Sequence, residues 1–244
     1  MCGRFASARA TQDLLDAFMV DPTLPLDDEL LAWRASWNVA PTQNVRMVLE
    51  RAPRDDADAP PVRQLRAARW GLVPSWARDP SGGARLLNAR SETVLEKPSF
   101  KRAAASRRAV VPADGYYEWQ RLGDGPRPAK QPYFIRPADG SPAALAALYE
   151  FWRDKDLPDD DPDRWLVTCT VLTRAAEGEL AEIHDRTPVM LTSATLDGWL
   201  DPTTDAREAL DLALSDAPAL AWHPVSTRVN RVSEDDATLV EATA

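Results

Sequence analysis

Two cysteines, two histidines and no Cys-x-x-Cys pair leave this chain without a disulfide framework and short of ligands for a structural zinc site. No apolar run approaches the roughly 18 residues of a membrane-spanning helix. The opening MCGRFASARA lacks the apolar core of a secretory signal. Neither a GxxxxGKS/T phosphate loop nor a GxGxxG fingerprint occurs, so nothing argues for a nucleotide cofactor. No internal period suggests a solenoid. Lysine is scarce, 4 residues against 25 arginines, a ratio that codon bias alone can set. The rest is ordinary for a globular protein: 244 residues, 44% hydrophobic and 27% charged. Such a chain fills one or two domains at roughly 150 residues each and buries about 70–75% of its unfolded surface. The expected compartment is a reducing cytoplasm.

The net charge of −9 hides an asymmetry. Residues 63–108 hold 11 basic and 3 acidic side chains, and acid is gathered in patches such as Asp55-Asp56-Ala57-Asp58 and Asp159-Asp160-Asp161. Two readings stand level: a basic face for a polyanion on an acidic, soluble body, or a solvated surface that pairs with those acids.

Residues 11–20 read as a helix with Leu14, Leu15 and Phe18 on one face, and 27–35 as a second, shorter one. Strands are expected at 45–50 and 62–70, flanking a polar, proline-rich excursion at 51–61. Residues 89–96 fit a helix stopped before Pro98. Further strands are expected at 109–111, 116–120, 133–136, 144–152, 165–173 and 219–225, and helices at 175–183, 193–200 and 204–214. The mixture has no βαβ rhythm. It predicts an α+β fold, a single compact domain of mostly antiparallel sheet with peripheral helices.

Cys2 carries the most chemistry. Removal of Met1, normal before a small second residue, exposes an α-amine and a thiol on one residue. The amine has a reference pKa of about 7.7–8.0, so roughly a tenth to a fifth is unprotonated at neutral pH. It can attack an aldehyde to give an imine, and the thiol can then close on the imine carbon as a thiazolidine. The alternative is a small buried residue in a first strand. Cys169, inside a β-branched apolar run, reads as core. His184 comes after a helix, beside Asp185 and Arg186, and fits either a proton shuttle or a helix C-cap; His223 reads as structural. Glu118, between aromatics in Tyr116-Tyr117-Glu118-Trp119, is a desolvated acid/base candidate or a residue on a wet strand face. Asn88 can present its amide to a ligand if Ser91 caps the helix expected next. Trp70 and Trp76 lie within the basic stretch, the mixture that single-strand nucleic-acid grooves use for stacking bases and holding phosphates. Most of the nine tryptophans are expected in the core.

These stretches together resemble the SRAP family of abasic-site processing proteins. The matching segments are Met1-Cys-Gly-Arg-Phe-Ala6, Trp37-Asn-Val-Ala-Pro-Thr-Gln43, Arg69-Trp-Gly-Leu-Val-Pro-Ser-Trp76 and Asn88-Ala-Arg-Ser-Glu-Thr93. Lys97-Pro-Ser-Phe-Lys-Arg102, Val111-Pro-Ala-Asp-Gly-Tyr-Tyr-Glu-Trp119 and Ile183-His-Asp-Arg-Thr-Pro-Val-Met190 continue the order. The resemblance covers residues 1–230 and leaves 231–244 as a tail. It implies a curved, barrel-like antiparallel sheet, no metal and no organic cofactor. It also implies a monomer acting on single-stranded DNA that contains abasic sites, associated with the nucleoid when bound. By it, Cys2 is the crosslinking nucleophile, Asn88 orients the amine and sugar remnant, Glu118 is the acid/base, and His184 promotes opening of the abasic sugar. Arg4, Arg90 and Arg186 would contact phosphates, with Asn38, Pro41, Trp70 and Trp119 shaping the DNA path. Peptidase activity is also ascribed to the family, since members with an N-terminal extension are expected to remove it themselves; here an ordinary aminopeptidase suffices for Met1.

Two other classes compete. An N-terminal-nucleophile amidohydrolase of the glutamine amidotransferase type would use Cys2 as an acyl-forming thiolate, but Arg4 replaces an apolar residue and no glutamine-pocket motif is found downstream. A non-catalytic single-strand reader would use only Trp and Arg, and would survive loss of Cys2.

Overall fold

Near-continuous burial in Ala143–Arg153 and in the middle of Trp165–Ala175 marks strands covered on both faces, and these two pair through Ala147–Arg153 and Trp165–Val171. In this computed structural model, residues 2–52, 59–123, 125 and 128–243 are described. These two strands, β9 (Ala143–Arg153) and β10 (Trp165–Ala175), close a five-stranded barrel with β3 (Asn44–Arg51), β4 (Val62–Trp70) and β6 (Arg108–Ala113). All its pairings are antiparallel except β4 on β10. Three short strands extend the barrel: β5 (Asn88–Arg90) and β11 (Arg186–Pro188) on β10, and β12 (Met190–Leu191) on β9. A second, five-stranded antiparallel sheet runs β13 (Leu220–Pro224), β8 (Ala129–Pro137), β7 (Gly115–Leu122), β1 (Phe5–Ser7), β2 (Ser36–Val39). The α+β fold is as expected.

Alternation divides the core in two. Val45, Met47 and Leu49 of β3 pack with Phe5, Tyr116 and Ile135 of the second sheet. Val48, between them, faces the helices: α1 (Thr11–Ala17), α2 (Asp28–Leu31), α3 (Pro98–Ser106), α5 (Ser193–Leu200) and α6 (Ala206–Ser215). Gly71 makes the sharp exit from β4. Its φ is +126°, and a Cβ there would lie 2.7 Å from the Gly83 carbonyl oxygen. The chain thereby folds back to lay β5 on β10.

Several local expectations are corrected. Residues 89–96 are not a helix: Asn88–Arg90 pairs with Val171–Thr173, and a single 3-10 turn, Ser91–Thr93, comes next. Pro98 starts α3 instead of marking an end, because a first-turn proline loses no hydrogen bond. Helix 175–183 shrinks to α4 (Leu180–Ile183), since β10 runs on to Ala175 and pairs with Arg186. α1 stops at Ala17, with Met19 at φ 50° just beyond it. α2 spans only Asp28–Leu31 of the expected 27–35. Residues 231–243 are largely exposed, pinned where Leu239 is fully buried and where Val225 bridges to Ala242. The patch Asp55-Asp56-Ala57-Asp58 and Met1 lie outside the described residues.

Candidate active site

The site forms where the two sheets meet. Cys2 lies just ahead of β1, which pairs with β7 through Phe5 and Tyr116. Strand alternation puts Tyr116 and Glu118 on one face of β7 and Tyr117 on the other, against Phe134. Asn88 opens β5, and His184 sits between α4 and β11; both strands are attached to β10. The Asn88 amide donates to the Cys2 carbonyl oxygen at 2.7 Å, and Tyr116 and Thr187 hydroxyls lie 2.9 Å apart. Each bond ties one sheet to the other.

Glu118 is 3% exposed, and burial pushes its carboxyl up to about 7. His184 Nε2 lies 3.9 Å from Glu118 Oε2. The Arg186 backbone N–H donates to His184 Nδ1 at 3.0 Å, so the neutral ring carries its proton on Nε2, toward Glu118. The Asp185 carboxylate, 3.0 Å from the same Nδ1, favours the charged ring instead. Desolvation outweighs it and lowers the His184 pKa. Burial raises the Cys2 thiol far above its ordinary value, and Glu118 adds to the effect. The site is thus a buried thiol with a carboxyl poised near neutrality and an imidazole beside that carboxyl.

The other expected residues divide by depth. Arg90 is exposed beside Asn88, with no ion-pair partner among the described residues. Trp119 is half-buried and donates from Nε1 to Asn230 at 2.7 Å. Pro41 is half-buried. Trp70 is fully buried against Phe5, donating to the Leu87 carbonyl, and has no free face. Asn38 is buried and donates to the carbonyls of Arg231 and Glu234; its own Oδ1 accepts from Arg4, which also bonds the Val229 carbonyl. Arg186 is held bidentately by Glu92 at 2.6 and 2.9 Å and by the Thr173 carbonyl at 2.7 Å. Trp70, Asn38, Arg4 and Arg186 are therefore held within the fold. Their nearest polar contacts are the protein's own. Sequence reasoning missed Glu92, although it stands inside the Asn88–Thr93 motif. Of the two tryptophans that bracket residues 71–75, Trp76 is the exposed one, at 65%. No group of three or more His, Cys, Asp or Glu side chains is placed to hold a metal among the described residues.

A family model described as "SOS response associated peptidase (SRAP)" matches residues 1–232. The chain belongs to the SRAP family. It is 35% identical to the abasic site processing protein YoqW of Bacillus subtilis over 99% of this chain and 100% of that protein. With YedK of Escherichia coli, named likewise, identity is 33% over 99% of each. With the abasic site processing protein HMCES of Gallus gallus it is 36%, over 83% of this chain and 65% of that protein. Among solved structures, a Bacteroides thetaiotaomicron protein superposes over the whole of both chains with a TM-score of 0.76 at 21% identity. That likeness is one of fold alone. A phage-related protein from Bordetella bronchiseptica has a TM-score of 0.68 and 28% identity over 92% of this chain and 94% of that one.

Proposed function

We propose that this SRAP protein captures abasic sites in single-stranded DNA as a covalent thiazolidine on Cys2, shielding the lesion in the DNA damage response. The observation that carries the reading is the setting of Cys2: its carbonyl is held by Asn88, with a buried carboxyl near neutrality and a histidine close by. The relatives' names supply the lesion.

Once Met1 is removed, the Cys2 amine attacks the ring-opened sugar aldehyde, and water leaves to give the imine. The thiol then adds to the imine carbon and its proton passes to nitrogen, closing the five-membered ring with net loss of one water. Glu118, with acid and base forms both populated near pH 7, donates the proton that expels water and accepts it in reversal. His184 moves protons at the sugar oxygens to open the ring. Asn88 Oδ1 is buried without a hydrogen-bond partner among the described residues and is an acceptor for the freed amine. A thiol pushed so far up is a poor first nucleophile. That supports amine-first attack over the acyl-forming thiolate of an amidohydrolase. Arg90 and Trp119 contact the strand on the surface, and Arg4, Asn38, Pro41, Trp70 and Arg186 hold the path beneath it. The protein works as a cytoplasmic monomer without metal or cofactor.

The test is intact mass after incubation with single-stranded DNA carrying one abasic site. The expected species is protein without Met1 plus DNA minus one water, stable to denaturation. A chain tagged ahead of Cys2, verified uncleaved, forms none. A full yield from the tagged chain would mean that the amine is not the first nucleophile.

A further inference from the structure

At the other end of β10 from the site, the barrel carries a basic cleft that no step of the lesion chemistry uses. Its cavity of about 550 Å³ is lined by Arg51, Arg102, Arg107, Glu150, Phe151 and Trp165, among others. A second cavity of about 490 Å³ adjoins it, shares Arg51 and Phe151, and brings in Asp27 and Arg66, the latter donating to Gln64 Oε1. The cleft begins at Trp165, whereas Arg90 of the site pairs with Thr173. Eight residues of strand at about 3.3 Å each put the two on the order of 26 Å apart.

The floor of the cleft is fixed. Glu150 is buried and accepts from Arg107 at 2.6 Å and from the Phe151 backbone at 2.9 Å. The Arg51 guanidinium lies over the Phe151 ring, 5.6 Å from its centroid. Trp165 is 54% exposed. Arg51, Arg66 and Arg102 have no carboxylate partner among the described residues, while Arg107 is neutralised by Glu150. A flat apolar ring and unpaired guanidinium groups in one cleft match a base with its phosphates.

We infer that this cleft is a second single-strand nucleic-acid contact, in which Trp165 stacks an undamaged base and Arg51 and Arg102 hold the flanking phosphates. It extends the single-strand reading above, but needs neither Cys2 nor an abasic site. Charge favours this occupant: the chain is acidic overall, yet the unpaired cations of this face collect around an exposed tryptophan. A general anion patch would need no ring.

The test uses the full chain carrying Cys2→Ala, so that no crosslink forms, titrated with an undamaged single-stranded oligonucleotide and with polyglutamate at several salt concentrations. Trp165→Ala should weaken oligonucleotide binding about tenfold, and Trp165→Phe should keep most of the affinity. Arg51→Ala and Arg102→Ala should each reduce the magnitude of the log–log salt slope by about 0.7. Arg107 is left intact, because its loss would strand the buried Glu150 charge. With Cys2 restored, the same variants should crosslink at the wild-type rate to a short oligonucleotide that has one nucleotide on each side of the lesion. That second arm separates this cleft from the active site: loss of all crosslinking in the parent chain would overturn the lesion chemistry and leave the cleft standing. Undiminished affinity and slope in Trp165→Ala and in the Arg51/Arg102 double variant would overturn the cleft. So would polyglutamate binding as tightly as the oligonucleotide and as sensitively to the arginines.

Discussion

The two cysteines are buried to the same degree, share one hydrophobic cluster, and have opposite surroundings. Cys169 lies mid-strand in β10, between Trp70 and Tyr149 in register. Burial alone pushes its thiol up to about 12. Cys2 is equally enclosed, but Asn88, Glu118 and His184 converge beside it from both sheets. Burial therefore does not separate a core cysteine from the one proposed to react. The polar groups brought to its edge do, and here they depend on two sheets meeting.

The largest expected effect tests that contrast directly. Cys2→Ala should abolish the denaturation-stable adduct with abasic single-stranded DNA, whereas Cys169→Ala should keep the wild-type rate. Cys169→Ala should cost about 1 kcal/mol of stability for the small cavity it leaves. Cys2→Ser keeps the amine and should give only an imine that borohydride traps. Gel shift under denaturing conditions and urea melts read all three. Equal stable yields from Cys2→Ser and wild type would sink the thiazolidine.

Glu118 comes next. Glu118→Gln keeps the shape but transfers no proton, and should slow crosslinking by about 10²–10⁴-fold. Reversal should slow as well when preformed adduct is chased with excess unlabelled lesion. A stability signature accompanies it. The carboxyl titrates near 4.5 when unfolded and near 7 when folded, so the folded state holds the extra proton between those values. Stability gained from this group is fully present below about pH 4.5 and is lost as pH rises through 7, at up to about 1.4 kcal/mol per pH unit. Glu118→Gln should flatten that fall in melts between about pH 5 and 7. An unchanged pH dependence would mean that the carboxyl is not buried as described.

How much of the fold and site is legible in the sequence depends on the range of the interactions. Strand 62–70 can be read from its own residues and matches β4 at both ends. Residues 89–96 cannot, because only the start of this stretch becomes strand, where β10 offers it an edge, and a 3-10 turn follows. Cys2, Asn88, Glu118 and His184 are nameable from family motifs, but their meeting is tertiary. Arg186 shows the limit most clearly. By the resemblance it contacts phosphates, yet Glu92, 94 residues away, clamps it. Trp70 and Trp76 likewise look equivalent until the turn at Gly71 buries one and exposes the other.

The Glu92–Arg186 clamp yields a smaller effect. The Arg186 guanidinium holds Glu92 down to about 2, and the Arg186 backbone N–H sets the proton position on His184. Glu92→Gln should slow crosslinking severalfold, with the pH–rate profile displaced as the imidazole loses its fixed tautomer. His184→Ala should be slower still, yet approach the same adduct yield on long incubation. If Glu92→Gln changes stability alone, with rate and profile intact, the clamp is only structural.

The smallest effect compares two arginines. Arg90 and Arg186 are both expected from the family motifs to hold phosphates, but one is exposed and unpaired among the described residues while the other is buried in a carboxylate fork. An unpaired guanidinium that meets a phosphate releases condensed counterions, and each such contact contributes a log–log salt slope of about −0.7 on single strands. Arg90→Ala should therefore reduce the magnitude of the slope by about 0.7, and weaken binding uniformly across sequences. Arg186 gives a different signature. Its charge is already balanced by Glu92, so Arg186→Ala should leave the salt slope near wild type and lower the melting temperature, because Glu92 and the Thr173 carbonyl lose their donor. Both are measured in the Cys2→Ala background, by anisotropy of a labelled single strand across a salt series with a thermal melt alongside. If the two arginines exchange behaviours, so that Arg186 carries the salt dependence and Arg90 none, then the fork opens when DNA binds, and the exposed position beside Asn88 lies off the strand's path.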